Sequence, residues 1–146
     1  MTLLYYGIDS NHTTWQTNAA LAKQAEVNLK SIICKAVNDG FTRFASMQET
    51  QSDRGFTQIA ETLAKHDDRI QCIAIPTEPA DEPREMAVLR TITALLKNAT
   101  MLVIPLESAP RSPLSVQLSR MALDAGVQVI VYDDQCIQRI EPKTIN

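Results

Sequence analysis

Apolar residues along this chain fall into short runs separated by polar loops, and the runs alternate between two spacings. Leu3 to Ile8 (LLYYGI) is apolar and aromatic and stops at Asp9, Ser10 and Asn11, as a buried strand does when it delivers a polar loop. From Thr13 the period changes. Leu21, Ala25, Leu29, Ile32 or Ile33, and Ala36 recur at helical intervals up to Asn38, and Thr13 with Gln16 has the spacing of a capping box. Gly40 then stops the helix. Phe41 to Ser46 (FTRFAS) alternates as a second strand, and the polar stretch Met47 to Ser52 leads to Asp53, a helix cap ahead of Phe56, Ile59, Ala60 and Leu63.

The second half repeats the alternation. Ile70 to Ile75 (IQCIAI) reads as a third strand, and Pro76, Pro79 and Pro83 mark an acidic connection that no regular element can cross. Met86 to Leu96 is helical. Met101 to Pro105 (MLVIP) is apolar throughout, which predicts a central strand. After the loop Leu106 to Pro113, Leu114, Leu118, Met121 and Ala125 mark a helix that Gly126 ends, and Val127 to Tyr132 (VQVIVY) is a fifth strand. Residues 133–146 form a polar tail that can add an edge strand through Cys136 to Ile140. Five strands alternating with four helices predict an α/β fold of three layers, Rossmann-like, with a mainly parallel five-stranded sheet and helices on both faces. In such sheets ligands bind beyond the carboxyl ends of the strands, where strand order reverses. That nominates four loops: Asp9 to His12, Met47 to Asp53, Pro76 to Arg84, and Leu106 to Pro113.

Composition narrows the picture. The 146 residues correspond to a single domain at roughly 100 to 200 residues per domain, and 45% apolar content supplies a core without disulfide or metal staples. Fourteen basic against seventeen acidic residues leave a net charge of −3, so no global positive field draws in nucleic acid or an anionic membrane. The start of the chain has no basic segment and no apolar run suited to export, and no later run approaches a membrane span, so a cytoplasmic location is expected. Cys34, Cys72 and Cys136 are widely spaced and form no CxxC pair. They predict neither disulfides nor zinc, and Cys34 and Cys72, inside apolar runs, are expected in the core.

The loops carry the chemistry. Gly7, Asp9, Ser10 and Asn11 would present a polar kit and helix N-terminal amides to an anion. One glycine there cannot make the GxGxxG of a dinucleotide site, and no phosphate-binding GxxxxGK[ST] run exists, so no cofactor is expected. His12 lies in this rim, with capping or solvent contact as its ordinary role, and His66 at a helix end reads as structural. The acidic residues of the loops, Glu49, Asp53, Glu78, Asp81, Glu82, Glu85 and Glu107, read first as caps and solubilising charge, although a pair could serve glycosidic chemistry. Arg90, on a helix expected to enter the cleft, and Arg111, in the loop after the central strand, are the cations best placed for a phosphate.

Several segments, in order, resemble the superfamily that holds the DNA-processing protein A (DprA/Smf) family and the LOG-type nucleotide proteins. Ser46 to Asp53 (SMQETQSD) has the length of that family's SGxAxGxD loop and keeps its first serine and last aspartate. Thr77-Glu78-Pro79 is similar to its Ser-Glu-x-Pro segment, and Arg90-Thr91-Ile92 with Leu95 to the tail of RNRxIxxL. Leu102-Val103, Arg111-Ser112 and Ala122 to Gly126 resemble its strand, serine loop and closing helix. The resemblance spans roughly residues 42–132, and in length the chain is similar to the single-domain YpsA-like group. With Gly7, Asp9 and Ser10 of the first loop and the cations Arg90 and Arg111 read above, it completes an expected ligand-binding set through Ser46, Asp53 and Ser112. Met47 and Gln51 stand at the loop's glycine positions, Val88 and Leu89 replace the leading Arg-Asn, and Pro113 falls near an expected Ser-Gly. These departures imply a phosphate or single-stranded DNA pocket that is reshaped or lost. The LOG pattern PGGxGTxxE is missing from Pro105 to Gln117, which argues against that hydrolase activity.

The expectation is a protein that binds a nucleotide-like or phosphate-bearing ligand at the strand ends, with single-stranded DNA as an option that the net charge does not favour. Two alternatives stand beside it. One is a glycosidic enzyme resembling nucleoside deoxyribosyltransferases, in which Gln117 would occupy the position of the nucleophilic glutamate. The other is a noncatalytic homo-oligomer, a homodimer burying a helix face or sheet edge.

Overall fold

Six strands make one sheet in the computed structural model, which describes residues 1–7, 18–47, 50–75, 84–106 and 113–142. In chain order the elements are β1 (Thr2–Tyr5), α1 (Ala19–Asn38), β2 (Arg43–Ser46), α2 (Gln51–Ala64), β3 (Gln71–Ala74), α3 (Arg84–Leu96), β4 (Met101–Pro105), α4 (Pro113–Asp124), β5 (Gln128–Tyr132) and β6 (Ile137–Ile140). Across the sheet the order is β3-β2-β1-β4-β5-β6, with the first five strands parallel and β6 antiparallel to β5. This is the strand order of a doubly wound, Rossmann-like α/β sheet.

Strand count is the point at which the expected sheet needs correcting. The tail does add a sixth strand, and Asp133 explains how. Its side-chain oxygen accepts the N–H groups of Gln135 and Cys136 at 2.8 and 2.7 Å, and its own N–H donates to the Cys136 carbonyl. This side-chain-built turn reverses the chain and lays Ile137–Ile140 along β5.

Period-2 alternation sorts the strand side chains into two cores. Leu3 and Tyr5 of β1, Phe44 of β2, Met101 and Val103 of β4, and Ile130 and Tyr132 of β5 pack under α1 and α2, which contribute Ala25, Leu29, Ile32, Ile33, Ala36, Phe56, Ile59 and Ala60. Leu4, Ala45, Leu102, Ile104 and Val129 point the other way, onto Val88, Ile92 and Leu96 of α3 and Leu118 and Ala122 of α4. Every residue of β4 is buried, as its uninterrupted apolar run predicts. β3 lies at the sheet's edge, with Gln71, Ile73 and Ala74 exposed.

Helix ends follow backbone chemistry. α1 starts at an Asn18 cap, whose side chain accepts from the Ala20 and Leu21 N–H groups. The expected Thr13–Gln16 cap lies outside the described residues. Gly40 (φ 99°) and Gly126 (φ 79°) close α1 and α4 in left-handed conformations. In each, the next residue's N–H returns to a carbonyl five positions back, Phe41 to Ala36 and Val127 to Ala122, so the chain passes directly from helix to strand. Among the described residues no helix is long and apolar enough to cross a membrane.

Candidate functional site

Strand order reverses between β1 and β4, so their carboxyl ends bound the crevice where ligands bind in sheets of this type. Gly7 and Leu106 are the last described residues beyond these two strands. Beside them, on the α1/α2 face, lies a buried group of hydroxyls around one carboxylate.

Asp53 is its centre. The first turn of α2 forms a reciprocal capping box: Thr50 Oγ1 accepts the Asp53 N–H at 3.1 Å, and Asp53 Oδ2 accepts the Thr50 N–H at 3.0 Å. Thr50 is therefore the cap, and Asp53, expected in that role, stands three residues inside. The other carboxylate oxygen, Oδ1, accepts the Gly7 N–H at 2.9 Å, which ties the exit of β1 to the start of α2. The Ser46 hydroxyl at the end of β2 donates to the same carboxylate. One side chain thus gathers backbone and hydroxyl donors from the exit of β1, the end of β2 and the cap of α2, while only 3% exposed.

Gly7 is required by this arrangement. A Cβ at that position would lie 2.3 Å from Asp53 Oδ1 and 2.5 Å from both Ser52 Oγ and Thr50 Oγ1. The glycine admits the capping box of α2 against the β1 backbone.

Hydroxyls continue the group into the core. Thr50 Oγ1 and Ser52 Oγ are 3.2 Å apart, Ser52 hydrogen-bonds the Tyr5 hydroxyl, and Tyr5 Oη lies 2.6 Å from Tyr132 Oη. The Tyr5 ring stacks on Phe56 of α2, with centroids 4.6 Å apart and planes within 7°. Tyr5 and Tyr132 come from β1 and β5, on either side of β4, so their hydroxyls meet across the central strand. Burial pushes both phenols far above their ordinary range. It also raises the Asp53 carboxyl, outweighing the bonds from Thr50, Gly7 and Ser46 that favour the charge. The group can therefore hold protons and orient backbone amides, and its phenols remain neutral.

Of the residues singled out from the sequence, Gly7, Ser46 and Asp53 come together here. Arg90 is exposed on α3, in the opposite helical layer. Asp9, Ser10, Arg111 and Ser112 lie outside the described residues, as do His12, Glu49 and Glu107. Met47, at a glycine position of the resembled loop, buries its side chain among Leu4, Ala45 and Ile75, so that position is occupied by core packing. Gln117 is exposed on α4. Tyr5, Thr50, Ser52 and Tyr132 were not singled out. The Thr50-x-x-Asp53 spacing was a readable cap, whereas two tyrosines inside apolar strands gave no polar signal.

The cysteines depart from expectation. Cys34 and Cys72 are half-buried, and Cys136 is exposed. Cys34 follows the buried Ile33 but is rotated off α1's core stripe, and Cys72 lies on the edge strand. Burial, then the Glu61 charge, pushes the Cys72 thiol up, away from thiolate chemistry. No cluster of three His, Cys, Asp or Glu side chains suited to a metal occurs among the described residues. Compared with known proteins, the chain matches no family model and no curated protein.

Proposed function

We propose that this protein binds a nucleotide-like or phosphate-bearing small molecule at the carboxyl ends of its strands, as a divergent relative of the DprA/LOG superfamily. The observation that supports this most directly is the buried polar group of Gly7, Ser46 and Asp53 beside the β1/β4 reversal point. Asp53 and Ser46 hold the backbone at the crevice mouth. In this reading Asp9, Ser10, Arg111 and Ser112, which follow β1 and β4 in the sequence, supply the contacts to the ligand. Isothermal titration against a panel of mononucleotides, inorganic phosphate and a short single-stranded DNA tests this. Binding to a nucleotide that weakens in Arg111→Ala is expected, and no heat at millimolar ligand with a folded sample overturns it.

A homo-oligomeric interaction protein is the second reading. It is favoured by the two edge strands of the sheet, where Ile73 on β3 is 37% exposed and Ile140 on β6 is 38% exposed. Light scattering that returns the monomer mass across a concentration series removes it.

A further inference from the structure

The hydrogen bond from Gly7 to Asp53 joins positions 46 residues apart, and its acceptor is a carboxylate, whose charge a proton removes. We propose that the Gly7–Asp53–Thr50 bridge is an acid-released latch between the exit of β1 and the first turn of α2. The proposal rests on this geometry, supported by the burial of Asp53, and holds whether or not a ligand binds above it.

The argument is one of donors and acceptors. As a carboxylate, Asp53 accepts at both oxygens, Gly7 N–H at 2.9 Å and Thr50 N–H at 3.0 Å. A proton on either oxygen makes that oxygen a donor and a much poorer acceptor, so the bond from the amide it served weakens. The Thr50 bond belongs to a reciprocal box within one helical turn and is held in place by the return bond from the Asp53 N–H. The Gly7 bond has no such return, so Gly7 is the amide released. The new proton finds an acceptor among the hydroxyls already present, Ser46, Thr50 and Ser52, each of which can rotate.

The surroundings make proton uptake a local event. Among the described residues, the titratable groups that face Asp53 are the phenols of Tyr5 from β1 and Tyr132 from β5. Burial holds both protonated throughout the acid range. β2 contributes the Ser46 hydroxyl, and α1, packed against α2, buries only Ala25, Leu29, Ile32, Ile33 and Ala36. Burial favours the neutral carboxyl, so Asp53 takes up its proton more readily than an exposed aspartate does. Release of Gly7 frees the backbone at the point where the chain leaves β1 beside the reversal point.

Nuclear magnetic resonance on the full chain, labelled with nitrogen-15 and carbon-13 and titrated from neutral to acid pH, tests the latch. The Asp53 carboxyl carbon is expected to titrate above the ordinary aspartate range. The Gly7 amide proton should shift upfield with the same midpoint, and its exchange protection should fall about tenfold, the scale of one lost hydrogen bond. The Gly126 amide, at the end of α4, should not follow. A Gly7 amide that stays constant, that moves with a midpoint other than that of the Asp53 carbon, or that moves only as the whole fold unfolds overturns the proposal. Asp53→Asn serves as a control, because a folded variant that keeps the Gly7 titration also overturns it. If the variant does not fold, agreement between the two wild-type midpoints decides.

Discussion

The two faces of the sheet solve the same packing problem with different materials. Under α3 and α4 the core is aliphatic: Leu4, Leu102, Ile104 and Val129 meet Val88, Ile92, Leu96 and Leu118, with Met47 among them. Under α1 and α2 the core holds Tyr5, Phe44, Phe56 and Tyr132, and at the carboxyl end it gives way to Ser46, Ser52, Thr50 and Asp53. An aliphatic core needs only volume. A buried carboxylate and two buried phenols need every partner in place, because each unsatisfied group carries its full desolvation cost. The difference singles out the α1/α2 face, at the strand ends, as the place where stability and chemistry are bound together.

The comparison can be broken first where burial alone acts. Leu102→Ala, on a fully buried residue of the central strand, should cost about 4 kcal/mol through lost transfer free energy and cavity formation. Urea denaturation should show the same loss at acid and at neutral pH, since no titratable group is involved. A loss that varied with pH would mean that the two faces are coupled through the sheet.

Gly7→Ala tests how rigid the polar face is. The added methyl would meet three oxygens at 2.3 to 2.5 Å, all belonging to residues fixed in the α2 cap. A loss of about 3 kcal/mol is expected, comparable with severe overpacking of a core. Gly55→Ala is the matched control, since nothing lies within 4 Å of a Cβ there and the residue sits inside α2. Relief of helix-interior glycine entropy should make that variant more stable by about 0.5–1 kcal/mol. A Gly7→Ala loss below that of an ordinary surface change would show that the cap moves aside.

Asp53→Asn comes next, at about 2 kcal/mol, because the amide nitrogen would face a backbone N–H where a carboxylate oxygen accepted one. Its pH dependence has a defined sign. The folded carboxyl is raised, so the stability that its protonation contributes is complete below the unfolded aspartate pKa and is lost as pH rises through the folded value. The wild type's advantage over the variant should therefore be largest in acid and shrink toward neutrality. An advantage that grew with pH would mean that the hydrogen bonds to the carboxylate outweigh its desolvation.

Much of the fold was legible because hydrophobic period and helix-stop residues agree along the chain. Met101 to Pro105 matches β4 residue for residue, and Gly40 and Gly126 end the helices that their positions indicated. The fold class holds, whereas β6 could be read only as an option, since IQRI is short and half polar and its pairing depends on the Asp133 turn. Edge position was also invisible. IQCIAI looks like an interior strand, yet β3 has a neighbour on one side only, which leaves Cys72 half-buried. In the polar group, Ser46 and Asp53 stood out through the resembled loop, while their meeting with Gly7 depends on how β1 and β2 pair. Tyr5 and Tyr132 were hidden by their own setting, because a tyrosine in an apolar strand looks like any other core aromatic.

Those two tyrosines provide the finest test of the contrast between faces. Each single change to phenylalanine removes one hydroxyl from a 2.6 Å contact and leaves the other buried without that partner, while keeping the ring, including the Tyr5 stack on Phe56. Singly, each should cost about 1–2 kcal/mol. Together they remove both polar groups at once, so the double variant should cost less than the sum of the singles, with a coupling of about 1 kcal/mol. Tyr5→Phe should be the more costly single change, because the Tyr5 hydroxyl also bonds Ser52 and so connects the pair to the Asp53 group. Chemical denaturation of all four proteins at one neutral pH measures the cycle. Additive losses, or a Tyr132→Phe loss exceeding that of Tyr5→Phe, would mean that the phenols pack as ordinary aromatics, and the polar group would then end at Ser52.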